Sequence, residues 1–173
     1  MILVKKIFNI SIFLYLLVFT LHCNKQEIYI INGITMGTTY SISIYDYQVN
    51  LDTLKYKIDS LLNNINLQMS TYIKNSEISK INKGKSGNYE VSEDFLKVVD
   101  KALAYYKINN RYDITIKPLV DLWGFGTSKE FKIPDSSKIT DVLQYVGSEK
   151  ILIQNNQIVK LDNNVEIDLS SIA

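Results

Sequence analysis

The 173-residue sequence predicts an α+β fold, with mixed helices and antiparallel sheet instead of the regular alternation of a doubly wound sheet. Three patterns predict it. Near the start, Tyr40, Ile42 and Ile44 alternate with Ser41 and Ser43, the period of a half-buried strand. Two later stretches repeat their apolar residues at helical spacing, and three short apolar runs separated by asparagine pairs read as a meander of hairpins. With 46% apolar and 21% charged residues, the chain has the means to bury a core.

The first element is a targeting segment. Lys5 and Lys6 precede an apolar run over residues 7–21, interrupted by Asn9, Ser11 and Thr20, and Cys23 comes directly after it. A bilayer span takes about twenty apolar residues, so residues 1–22 read as an export signal. The sole cysteine then stands where a bacterial lipoprotein carries its lipid, although His22 occupies the place of the small residue expected there. An uncleaved anchor or plain secretion is the alternative. On the lipoprotein reading the product is exported and lipid-anchored on the periplasmic side of the inner membrane.

Residues 28–173 read as the N-terminal part of one domain. Residues 28–34 and 39–45 read as strands joined by a tight connection, with Met36 at its tip between Gly33 and Gly37. Leu51, Leu54, Ile58, Leu61, Leu62 and Ile65 give a long amphipathic helix with Asp52 in its first turn, where the helix dipole favours an anion. Ser92 caps a second helix, whose stripe is Phe95, Leu96, Val99, Ala102, Leu103 and Tyr106. Pro118 starts a turn of helix, and Asp135 caps a shorter one through Val146 that Gly147 ends. The apolar runs are residues 151–153, 158–161 and 165–169. The small residues after the last run look like an interior junction, so the sequence is expected to be the first part of a longer domain.

Composition narrows the chemistry. A formal charge of +1 offers no field for nucleic acid. One cysteine and one histidine exclude an internal disulfide and a His/Cys zinc site, leaving a hard cation on oxygen ligands as the metal to consider. Four segments carry polar constellations. Met36 offers a polarizable surface for a flat ring, or is simply a core methionine on a hairpin. Tyr72, after Met69-Ser70-Thr71, stacks on an aromatic ligand or packs in the core. Ser76 and Ser79 look like a helix start, since no activating base stands nearby. Arg111-Tyr112-Asp113 holds the only arginine, and Asp113 either binds a ligand or fixes its loop by an Asx-type bond. Asp168 is placed to bind ribose or a ring N–H, or to cap a succeeding helix, and the carbonyls of Ser170 and Ser171 suit Mg²⁺.

Taken together, Met36-Gly37-Thr38-Thr39-Tyr40, Met69-Ser70-Thr71-Tyr72 with Ser76-Glu77-Ile78, Tyr112-Asp113-Ile114-Thr115 with Leu122-Trp123-Gly124-Phe125-Gly126, and Asp168-Leu169-Ser170-Ser171-Ile172-Ala173 resemble the FAD:protein FMN transferase family, the ApbE-type flavin transferases. The resemblance implies a Mg²⁺-dependent enzyme that splits FAD, attaches FMN to a threonine or serine of an acceptor protein and releases AMP. It implies that Met36 and Tyr72 contact the flavin, that Arg111, Tyr112, Asp113 and Asp168 bind other parts of FAD, and that the Ser171 carbonyl is a metal ligand. Trp123 is assigned to packing. The catalytic and remaining metal-binding residues of such an enzyme would lie beyond Ala173, so the 173-residue product is expected to have little or no transferase activity. A flavin-binding lipoprotein without chemistry, or an FAD pyrophosphatase without transfer, is the alternative.

Overall fold

The computed structural model describes residues 28–45, 48–126 and 131–172. The expected export signal, with Cys23, lies outside the described residues, as does Ala173. Chain order is β1 (Tyr29–Thr35), β2 (Thr38–Ile44), α1 (Leu51–Met69), α2 (Glu77–Lys83), β3 (Gly87–Glu90), α3 (Glu93–Asn109) and a 3-10 turn (Ile114–Ile116) that runs into α4 (Lys117–Leu122). Next come α5 (Ser136–Leu143), a 3-10 turn (Ser148–Lys150), β4 (Ile151–Gln154) and β5 (Gln157–Lys160). Among the described residues the strands form two antiparallel sheets, β1-β2 and β3-β5-β4, so the α+β expectation holds.

β1 and β2 form a hairpin closed by Met36 (φ 51°) and Gly37 (φ 75°), a two-residue turn with both centres in the left-handed region. Tyr40 lies opposite Gly33 and its ring crosses that residue: a Cβ on Gly33 would stand 2.3 Å from a ring carbon. The Tyr40 hydroxyl donates to Asp59 Oδ1 (2.5 Å). Lys55 Nζ donates to Asp59 Oδ2 (2.9 Å) and to the Asn32 carbonyl (3.0 Å), so the hairpin is tied to α1. The Tyr40 bond, and after it that of Lys55, holds the Asp59 carboxyl below the ordinary aspartate value.

α1 starts at Asn50, whose side chain accepts from the Thr53 N–H (2.9 Å), with Asp52 in the first turn. Its stripe is as expected except at Leu61, which is 58% exposed, and the helix continues to the buried Gln68 and Met69. Ser76 caps α2 and Ser92 caps α3; Glu77 also accepts from the Ser92 N–H (2.9 Å) and hydroxyl (3.1 Å), joining the two helix starts. The expected stripe of α3 faces the core, where Phe95, Val99 and Ala102 are buried. α5 ends earlier than expected, at Leu143, because Tyr145 and Val146 turn back onto the carbonyls of Val142 and Leu143. Gly147 (φ 141°) then leaves the helix axis, and its N–H reaches Thr115 Oγ1 (2.6 Å).

The meander expectation is half right. The first two runs make the β4-β5 hairpin, with Asn155 and Asn156 at φ 51° and 58° in its turn. The third run, residues 165–169, is not a strand. Val165, Ile167 and Leu169 are core residues, but the backbone takes its bonds elsewhere. The Asn82 side-chain amide clasps Ile167, donating to its carbonyl and accepting from its N–H, both at 2.8 Å, and the Asp168 N–H donates to the Ile114 carbonyl (2.8 Å). The third sheet position goes to β3, Gly-Asn-Tyr-Glu, which has no apolar period to announce it.

Lys160, 1% exposed, donates from Nζ to the carbonyls of Ile81 (3.0 Å), Asn82 (3.2 Å) and Gly84 (2.8 Å). It satisfies the C-terminal end of α2, where a cation suits the dipole, while burial pushes its ammonium below the ordinary lysine value. No helix of the described residues is long and apolar enough to cross a membrane.

Candidate functional site

The last two turns of α1 supply one wall of a cavity of about 190 Å³, through Ile65, Asn66 and Met69. The hairpin tip contributes Met36, the chain after α1 contributes Ser70, Thr71 and Tyr72, and the turn after the third apolar run contributes Ser170. Three segments singled out in the sequence, with Met36 and Ser170 at the extremes 134 positions apart, therefore converge on one concavity.

Each wall has a local cause. Met36 is held out at the tip by the left-handed turn, 52% exposed. The 70–76 loop is organised by Ser76, whose hydroxyl donates to the carbonyls of Ser70 (2.7 Å) and Ile73 (2.9 Å) and accepts from the Ser79 N–H (3.2 Å). Ser76 is thus a helix cap that also shapes the loop, in agreement with its reading as a helix start. Tyr72 stands 66% exposed above this loop, its N–H bonded to Ser70 Oγ (3.3 Å). The last wall is set by Asp168, whose Oδ1 accepts from the N–H (2.8 Å) and hydroxyl (2.5 Å) of Ser170.

The 111–113 segment is not on the cavity wall. Asp113 fixes its loop: Oδ1 accepts from the Thr115 N–H (2.8 Å), Thr115 hydroxyl (2.6 Å) and Ser148 hydroxyl (2.6 Å), and Oδ2 from the Ser148 N–H (3.2 Å). Tyr112 stacks edge-on against Tyr105 with ring centres 5.9 Å apart, and its hydroxyl lies 3.0 Å from Ser171 Oγ. This contact joins the 111–113 turn to the 168–171 turn, next to the cavity. Arg111 is exposed, its N–H bonded to Asn109 Oδ1 (3.0 Å). Trp123 is half-buried at the end of α4, and Phe125 turns outward against Phe131.

Sequence reasoning missed three residues that support this region. Asn82 holds the strandless run from which Asp168 emerges. Asn66 lines the cavity and donates to Thr35 Oγ1 (3.1 Å), beside Met36. Lys117, 8% exposed, bonds Asp121 and lies 3.7 Å from Glu166, tying α4 to the same run. Polar residues on an otherwise apolar helical pattern give no such signal, because a solvated side chain reads the same way. Among the described residues no three His, Cys, Asp or Glu side chains cluster so as to hold a metal ion.

Comparison with known proteins gives this arrangement a context. A family model described as the ApbE family matches residues 36–173, which include every residue that lines the cavity. The chain is similar to the FAD:protein FMN transferase of Haemophilus influenzae, 34% identical over 163 residues that cover 87% of this chain and 47% of that protein. It is also similar to that of Vibrio cholerae, 36% identical over 148 residues covering 83% and 44%. Of solved structures, the flavin transferase ApbE from Vibrio cholerae superposes with a TM-score of 0.79 at 35% identity, over 83% of this chain and 48% of that one. The apo flavinyl transferase ApbE of Pseudomonas stutzeri gives the same TM-score at 21% identity over 87% and 52%, a likeness of fold. The chain spans about half the length of the curated relatives it matches. Family match, sequence identity and shared fold agree on one conclusion: the chain belongs to the ApbE family.

Proposed function

We propose that this chain supplies one side of the flavin site of an FAD:protein FMN transferase, an enzyme that moves FMN from FAD to a threonine or serine of an acceptor protein and releases AMP. The observation that carries the reading is the convergence of Met36, Tyr72 and Ser170 on one cavity. A thioether and a phenol ring, both largely exposed at the rim of a small concavity, suit a flat aromatic ligand. A volume of about 190 Å³ takes part of an isoalloxazine and leaves the remainder of FAD to groups outside it. Asp168 orders the Ser170-Ser171 turn, and Tyr112 braces it through Ser171 Oγ. Asp113 fixes the loop beside Tyr112, and Arg111, exposed in the same segment, is the cation assigned to the phosphates.

Mg²⁺, when bound, neutralises the charge that develops on the pyrophosphate. The Ser171 carbonyl is a hard oxygen donor of the kind this ion takes, and a single such donor does not make a site of six ligands. On this reading the remaining donors come from outside the described residues. The export signal and a lipid on Cys23 belong to the same proposal and would hold the site at the periplasmic face of the inner membrane; the mass of the N-terminal peptide in wild type and Cys23→Ala tests that part.

The flavin reading is tested by titrating the chain against FMN and monitoring fluorescence. Quenching is expected, weakened in Met36→Ala and in Tyr72→Ala. No quenching by the wild-type chain would overturn the reading. AMP release from FAD with Mg²⁺, measured beside the full-length Vibrio cholerae relative as positive control, separates binding from turnover; the 173-residue chain is expected to bind and not to turn over. Release at the rate of the relative would overturn that expectation.

A further inference from the structure

We propose that Thr35 and Asn66 are positioning residues, a latch that sets the Met36 tip over the cavity; the inference rests on the flavin reading above. Further back along the helix, the hairpin is also tied to α1 at Lys55 and Asp59. These lie eleven and seven residues before Asn66, or ~16 Å and ~10 Å back along the helix. Ties so far from the tip do not by themselves set its direction. The Asn66 amide, donating to Thr35 Oγ1 at 3.1 Å, is the polar tie beside Met36, and Asn66 itself lines the cavity wall.

The tip needs such a restraint. Met36 holds φ 51°, a region that asparagine and glycine enter more readily, and nothing lies within 4 Å of where a Cβ on Gly37 would point. For a methionine, which lacks the local hydrogen bonding that lets asparagine sit there, this conformation is uncommon and gains from a restraint nearby. Thr35 is paired to Thr38 across the turn, so fixing its hydroxyl fixes both ends of the two-residue loop. The latch thereby converts a strained turn into a defined direction for the Met36 thioether.

The test uses the chain with ¹³C-methyl methionine. It holds three methionines, Met1, Met36 and Met69, and Met69, 8% exposed, reports on the core. Asn66→Ala removes the donor at a helical position that alanine suits. Thr35→Val removes the acceptor with little change of shape at a residue off the cavity wall, and Thr35→Ser keeps the hydroxyl. In Asn66→Ala and Thr35→Val the Met36 methyl signal should sharpen and move toward its random-coil position while that of Met69 stays. FMN affinity should fall about fivefold, the weight of one neutral hydrogen bond. Thr35→Ser should keep both readouts near wild type. An unchanged Met36 signal in Asn66→Ala and Thr35→Val would overturn the latch itself. A loosened Met36 with wild-type FMN affinity would instead overturn Met36 as a flavin contact, and the positioning role with it.

Discussion

Replacing Asn82 by alanine probes the joint that lets a strandless run carry one wall of the cavity. Two bonds of 2.8 Å are lost, and Ile167, 0% exposed, keeps an N–H and a carbonyl with no partner. A buried backbone group left unpaired costs about 1–3 kcal/mol. Asn82 is only half-buried, so water reaches part of the vacated space, and about 2–4 kcal/mol is the expected loss. Against a total of about 5–15 kcal/mol for an ordinary domain, this is a large fraction. Urea unfolding monitored through the sole tryptophan, Trp123, measures it. Asn82→Asp sharpens the test. Its carboxylate still accepts from the Ile167 N–H but opposes the Ile167 carbonyl until protonated, so its folded pKa is raised. Proton uptake then favours folding, and stability should rise as pH falls through that raised value toward the unfolded one, about 3.9. A loss under ~0.5 kcal/mol in Asn82→Ala, the ordinary surface range, together with a pH-independent offset in Asn82→Asp, would refute the reasoning.

The hairpin supports three further predictions. Asp59 has its folded pKa lowered by Tyr40 and then by Lys55, so its contribution is present above the ordinary value of 3.8 and lost as pH falls through the lowered one. Hydrogen exchange of the β1-β2 amides should show that acid loss, and Asp59→Asn should abolish it; the same acid limb in both would remove the triad as cause. Gly33→Ala drives a methyl into the Tyr40 ring, which Asp59 anchors, and should cost about 1–3 kcal/mol in thermal unfolding; an unchanged melting temperature counts against that packing. Met36→Asn relieves the left-handed turn by about 1 kcal/mol while weakening FMN binding, so calorimetry and titration should move in opposite directions; a variant that binds FMN as the wild type does contradicts the site.

Periodicity and caps made part of the fold legible in the sequence. The stripes of α1 and α3 are apolar on one face, Ser76 and Ser92 stand at helix starts, and the tight β1-β2 turn is marked by its glycine. The elements that escaped have no period to read. β3 is a four-residue polar strand recognised by its partner alone, and residues 165–169 look like a strand because they are apolar, whereas their backbone partners are an asparagine side chain and a distant carbonyl. The candidate site divides in the same way. Met36 and Tyr72 are visible as unusual residues in short motifs, and Asp113 is legible as a loop-fixing aspartate. Asn66, Asn82 and Lys117 are not, since what distinguishes them is the group each reaches across the fold.

The strand order β3-β5-β4 has a consequence for how the molecule is made. β3 leaves the ribosome at residues 87–90 and its partner only at residues 157–160. Meanwhile Phe95 and Val99 have no Ile158, Ile167 or Leu169 to meet. Until the run at residues 165–169 has emerged, vectorial synthesis therefore leaves these helices with bare apolar faces, and this part of the interior closes only afterwards.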